Sequence, residues 1–230
     1  MTTTAQSVIR RAAETLQDLG AVRWSTAELV RYLNDGQREI LMYRPDVYAT
    51  SATLALVAGA KQTLPDTAAK LLDVTRNSAT TSAKKTVRLI KRSLLDSQVP
   101  DWHVATASVD TVHYMYDPVT PRIFYVYPPA TTLARLDVVV AQYPTDLTEP
   151  ADNTTYTAVT GDIGITDVLA SALASYVVAR AYMKDSELAG NAARAQAHYA
   201  LFTGALGADL KSTTDVVPSP VGAPAHGASA

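Results

Sequence analysis

The fold is decided by IGITDVLASALASYVVARAYM at 163–183, the break KDS at 184–186, and ELAGNAARAQAHYALFTGALGADL at 187–210. After Asp167 the first run holds only Ser171, Ser175 and Arg180 as strongly polar residues, so nearly every face of a helix over Ile163–Met183 can be buried. The second run places Leu188, Ala192, Ala195, Tyr199, Phe202 and Leu206 at alternating steps of four and three. That spacing predicts a helix with one packing seam, and Glu187, Arg194 and Gln196 lie off it. Lys184, Asp185 and Ser186 interrupt the pattern, and Asp185 or Ser186 can accept from the free amides that open the second helix. An antiparallel helical hairpin results, with enough Ala and Ser for close packing in a bundle.

Outward from the hairpin, Gln6–Leu19 carries Ile9, Ala12, Ala13, Leu16 and Leu19 on one side, which predicts an amphipathic helix ended by Gly20. Ser25 and Glu28 have capping-box spacing, so a second helix starts near Thr26 and stops at Arg44–Pro45. Gly36 inside it costs about 1 kcal/mol relative to alanine. Either a neighbouring helix crosses closely there or the cost is tolerated. From Tyr48 the periodicity changes. Ser51–Val57 and Gln62–Pro65 read as a hairpin about Gly59, and Asn77–Ser82 as an exposed loop. Leu71–Thr75, Thr86–Ile90, Thr111–Tyr116, Arg122–Tyr127 and Arg135–Tyr143 read as strands, and Ser93–Gln98 as one helical turn. The predicted class is therefore α+β: a helical bundle formed by the N- and C-terminal helices, an inserted antiparallel β domain, and an extended C-terminal tail. Its divisions fall at 1–46, 47–160, 161–210 and 211–230. Ser212–Ala230 is mostly Ser, Thr, Pro, Gly, Ala and Val, a composition that cannot fold alone.

A chain of 230 residues with 47% hydrophobic residues has material for a large core. A net charge of −2 gives no global pull toward nucleic acid or an anionic membrane. Absence of cysteine excludes disulfides, thiolate metal sites and a cysteine nucleophile. The N-terminal residues lack a basic head followed by an apolar core, so no signal peptide is expected, and the apolar stretch near Val168–Met183 carries Arg180 and is short for a bilayer span. His103, His113, His198 and His226 show no metal-ligand spacing, and no phosphate loop, nucleophile elbow or H-E-x-x-H helix occurs. Asp146, Glu149 and Asp152 lack the pattern of a calcium loop, and the Asn153 sequon reads as chance. No catalytic residue, cofactor site or metal site is expected.

Two features carry alternatives. Lys84, Lys85, Arg88, Lys91 and Arg92 read either as a solvated, lysine-protected edge strand or as a patch that meets DNA or an acidic partner. Tyr114, Tyr116, Tyr125 and Tyr127 read either as a stacking surface or as cross-strand packing.

Several segments together resemble a known family. They are Arg23-Trp24-Ser25 with Glu28-Leu29; Tyr32 to Arg38; Leu94-Leu95-Asp96 with Pro100-Asp101-Trp102-His103; Phe124 to Pro129; and Lys184-Asp185 with Gly190-Asn191 and Ala197-His198-Tyr199. In order and spacing, over about 8–207, they resemble the head-to-tail adaptor, or connector, proteins of tailed phages. The resemblance implies a structural protein of the virion, made in the host cytoplasm. It would form a ring, expected to be a dodecamer, beneath the portal, bind the portal and other neck or tail proteins, and pass genomic DNA as cargo. It implies no catalytic residues and no membrane. The uncharged tail, through Val216, Val217, Pro218, Pro220 and Val221, is expected to dock on the portal. Competing readings are a tail or receptor-recognition module using the tyrosines, a hydrolase using Asp101, His103 or Glu149, and a sequence-specific DNA binder. The last two are disfavoured by residue spacing and by net charge, respectively.

Overall fold

A computed structural model describes residues 3–151 and 154–216. Thr4 opens α1 (Ala5–Leu16), its side chain accepting from the Ser7 amide. The helix stops at Gln17, in the left-handed region at φ 56°, with the Asp18 amide bonded back to the Ala13 carbonyl. Termination thus falls on Gln17 and not on Gly20. The same closure is usually served by glycine. Helix α2 (Thr26–Tyr43) starts under the Ser25 hydroxyl, which accepts from the Glu28 amide at 3.2 Å. The reciprocal half of the box is replaced: the Glu28 carboxylate accepts from Tyr32 and Lys184.

Helix α4 (Ala170–Lys184) is entered through a 3-10 turn over Asp167–Leu169, so Ile163–Thr166 is not helical as expected. Ile163 and Ile165 are buried nonetheless, because the Gln37 side chain accepts from the Gly164 amide and holds this strand-like approach against α2. Helix α5 runs Asn191–Val216. It begins after Gly190, at φ 87°, so Leu188 lies outside it and is exposed, and neither Asp185 nor Ser186 caps it. The buried seam is Asn191, Ala195, Phe202 and Leu206, with Tyr199 half-buried and Ala192 exposed. The helix also passes the expected boundary at 211. No glycine or proline stands between Ala208 and Pro218, so the sequence offers no earlier stop.

Helix α4, buried on most of its faces, packs against α1, α2 and α5. Gly36 of α2 meets it at a close crossing, where a Cβ would stand 2.7 Å from Leu173 and 2.7 Å from Tyr176. One core joins these four helices, from Val8 and Ile9 through Leu33 and Ile40 to Leu173, Val177 and Phe202.

The strands form two sheets, ordered β1-β7-β3 and β2-β6-β5-β4. These are β1 (Ala49–Ala55), β2 (Gly59–Thr63), β3 (Ala68–Asn77), β4 (Arg88–Leu89), β5 (His113–Tyr116), β6 (Ile123–Ala130) and β7 (Arg135–Gln142). The expected hairpin about Gly59 is not formed: β1 pairs with β7 and β2 with β6. The Gln62 side chain takes the place of a hairpin turn, accepting from the Val57 amide and donating to the Val57 and Gly59 carbonyls, so the chain changes sheets within one corner. Pairing is antiparallel except for β4 on β5, which is parallel. Asn77, expected in a loop, is a fully buried strand end. Leu56, Leu71, Phe124, Val126, Leu136 and Val138 share a core between the sheets. Helix α3 (Arg92–Gln98) and Trp102 cover Met115, Tyr125 and Tyr127 on the far face of the second sheet.

Candidate assembly surfaces

The segments that carry the family resemblance converge as two clamps. At the first, the start of α2 grips the end of α4. Arg23 Nε stands 2.6 Å from the Asp185 carboxylate, Lys184 stands 2.9 Å from Glu28, and the Trp24 indole donates to the Ala181 carbonyl at 3.2 Å. Trp24 meets Tyr182 edge to face. The linker between α1 and α2 is folded on Asp18, whose carboxylate accepts from the Val22, Arg23 and Trp24 amides. Partial burial works against its charge, yet these donors hold the Asp18 carboxyl below its ordinary range. Burial likewise opposes the Glu28 charge, and Lys184 and Tyr32 outweigh it. The Tyr32 phenol is pushed up to about 12 by burial and by Glu28. A cleft of about 510 Å³ lies over this clamp, with Asp18, Arg23, Tyr182 and Arg194 on its wall.

The second clamp is in the β layer. The Trp102 indole donates to Asp96 at 2.8 Å, His103 stacks on Trp102 at 3.5 Å, and Tyr125 meets Trp102 edge to face. Between the clamps, the Asn34 side chain exchanges two hydrogen bonds with the backbone of Leu147, and the Gln37 carbonyl accepts from the Tyr48 hydroxyl. The buried Nε2 of Gln37 is left without a hydrogen-bond partner; those motif residues otherwise hold structure. The tyrosines do likewise: Tyr114 is buried and donates to Asp73, Tyr116 donates to the Pro121 carbonyl, and Tyr127 lies parallel to His113.

The remaining candidates do not assemble into a reaction centre. Glu149 faces Arg31 at 3.5 Å, while His103 sits in the second clamp. Asp146 pairs with Arg38. His198 turns a buried Nδ1 toward the protein with no hydrogen-bond partner, and burial lowers its pKa. Among the described residues no group of three or more His, Asp or Glu could hold a metal ion.

Lys84, Lys85, Arg88, Lys91 and Arg92 are all exposed: Arg88 lies in β4, Lys91 and Arg92 open α3, and the Lys85 carbonyl accepts from the Asn77 amide at the end of β3. Arg92 is engaged, over the Tyr125 ring at 5.6 Å and 3.5 Å from Asp96. Lys84 sits at φ 53°, and the strand itself is only Arg88–Leu89, so of the five only Arg88 lies in a strand. Of the tail residues, Val216 closes α5, and Val217, Pro218, Pro220 and Val221 lie outside the described residues.

In this mixed α+β architecture, two clamps built from segments of the resemblance fix the helical part and the β layer internally. The chain belongs to the SU10 adaptor protein family, whose sequence pattern matches residues 3–224. It is thereby a phage structural adaptor, a family of virion proteins that contact other head and tail proteins. No curated protein matches the chain. Among the described residues no helix is long and apolar enough to cross a membrane.

Proposed function

We propose that the chain joins capsid to tail as a ring beneath the portal, in the dodecameric form expected from the family resemblance, with genomic DNA passing through the lumen. The observation that carries this reading is the family match over nearly the entire chain, 3–224. The clamps support it, since a ring wall under DNA pressure needs subunits whose layers are tied together. The bundle of α1, α2, α4 and α5 serves as that wall, the β layer at 47–160 meets the next neck or tail component, and residues 216–221 reach the portal. Contact with DNA is loose passage, and the β4 basic edge is the surface that would supply it.

Cosedimentation with portal rings from the same particle tests the reading. The full chain pellets with the rings, whereas a chain ending at Leu210 keeps its fold and pellets far less. Equal pelleting of the two would remove the tail from the contact, and no pelleting of either would remove the portal reading.

A further inference from the structure

The four sheet edges are not alike. The β2 edge carries Lys61 and a register shift, the β3 edge carries Lys70, Arg76 and three register shifts, and β4 has two residues flanked by Lys85 and Lys91. Charge, bulges and shortness are the means by which proteins prevent strands from adding to an edge. Strand β1, Ala-Thr-Ser-Ala-Thr-Leu-Ala over Ala49–Ala55, has none of them. It is uncharged, pairs with β7 in unbroken register, and is exposed at every position except Leu54, which is half-buried.

The register fixes which backbone groups are free. The Leu56 amide donates to the Ala134 carbonyl, continuing the same register, so Leu54, Ala52 and Thr50 turn their amides and carbonyls toward β7. Those of Ser51, Thr53 and Ala55 point away from β7, along an edge that borders no other strand among the described residues, while the Ala49 amide is already given to the Asp46 carbonyl.

The chain itself contains a segment suited to that edge. In Val217-Pro218-Ser219-Pro220-Val221 the prolines occupy alternate positions. Extended, such a segment has its missing amides on one side and its three donors, at Val217, Ser219 and Val221, on the other. It pairs with one edge and ends the sheet, and like β1 it carries no charge. It follows directly on α5, which runs on past Leu206, where Arg44 holds the helix to the body, by roughly 15 Å to Val216.

We propose that, away from the portal, residues 217–221 add as a fourth strand to β1 of a second copy of this chain. This goes beyond the portal reading and rests on it in one respect only: the same residues cannot serve both contacts, so docking on the portal uncovers β1 for the next component. An otherwise aggregation-prone edge is thereby covered until assembly.

Hydrogen–deuterium exchange on the full chain alone tests the proposal, with no portal in the experiment. At high protein concentration the Ser51, Thr53 and Ala55 amides are protected, and protection is lost on dilution. Ser219→Pro removes the central donor and abolishes the protection, Ser219→Ala retains it, and Ser51→Pro, which removes an outward amide without cutting the β7 ladder, abolishes it from the other side. Equal exchange in the native chain and Ser219→Pro would overturn the proposal. So would protection that persists unchanged on dilution, which would place the chain's own segment, or none, on the edge. Either failure leaves portal cosedimentation untouched, and loss of cosedimentation leaves this result untouched.

Discussion

Gly36 shows how much one residue decides. Replacing it with alanine gains about 1 kcal/mol of helix propensity, but the added methyl would stand 2.7 Å from both Leu173 and the Tyr176 ring. Tyr176 is itself wedged against Tyr199 and Phe202, so it has little room to yield. Gly36→Ala is therefore expected to destabilise by roughly 1–3 kcal/mol, the usual range for overpacking, as read by urea unfolding. Added stability would show that α2 and α4 separate freely. The sequence left both readings of Gly36 open because the crossing partner lies far along the chain, and periodicity within α2 carries no record of it. Asp18 was silent for a similar reason: its three donors come from the loop after it, whose geometry a helix pattern does not encode. With its folded-state pKa below the ordinary 3.8, Asp18 contributes fully above that pH, and the contribution is lost as pH falls through the folded value. Asp18→Asn should cost roughly 1–2 kcal/mol at pH 7 and flatten the acid limb of a thermal-stability profile below about pH 4. A parallel acid limb in the variant would contradict the assignment.

Helices were the more legible part: the bounds of α2 follow from Ser25 and from Arg44–Pro45, and Ala195, Phe202 and Leu206 of α5 are buried as the seam predicts, whereas Leu188 and Ala192 are exposed. Phe202 lies at the centre of that seam with no exposed surface, and Phe202→Ala should cost about 3–5 kcal/mol in chemical denaturation. The approach to α4 was misread because Ile163 and Ile165 continue the apolar composition while their backbone is held by Gln37 and not by a helix. Among the strands, position was readable and pairing was not. A glycine between two strand-like runs signals a hairpin, but the Gln62 side chain replaces the turn, and that role is invisible in a propensity scale. The small polar run Asn77–Ser82 carries a loop signal, yet the Asn77 side-chain amide donates to the Lys85 and Thr111 carbonyls and its oxygen accepts from the Thr111 amide. Asn77→Ala should lower stability by roughly 2 kcal/mol or more by leaving the buried Thr111 backbone groups unpaired, and Gln62→Ala by roughly 1–2 kcal/mol by removing three hydrogen bonds at the corner. Thermal melts of the two variants matching the native chain would refute these roles.

Segments far apart in sequence meet as internal clamps, Arg23 with Asp185 in the helices and Asp96 with Trp102 in the β layer. What a chain does in an assembly is written on surfaces that fit other chains, and those patterns have no period. Replacing Lys84, Lys85, Arg88 and Lys91 together by glutamine should leave portal attachment unchanged if that edge only faces passing DNA, since exposed charges contribute little to the fold. Reduced attachment in a pelleting assay would make the edge a protein contact. Native mass measurement of the purified chain mixed with portal rings reads out directly whether a stoichiometric ring forms on the portal. One added copy per portal subunit is the expected result. A fixed small oligomer whose mass does not change when portal rings are present would contradict the account.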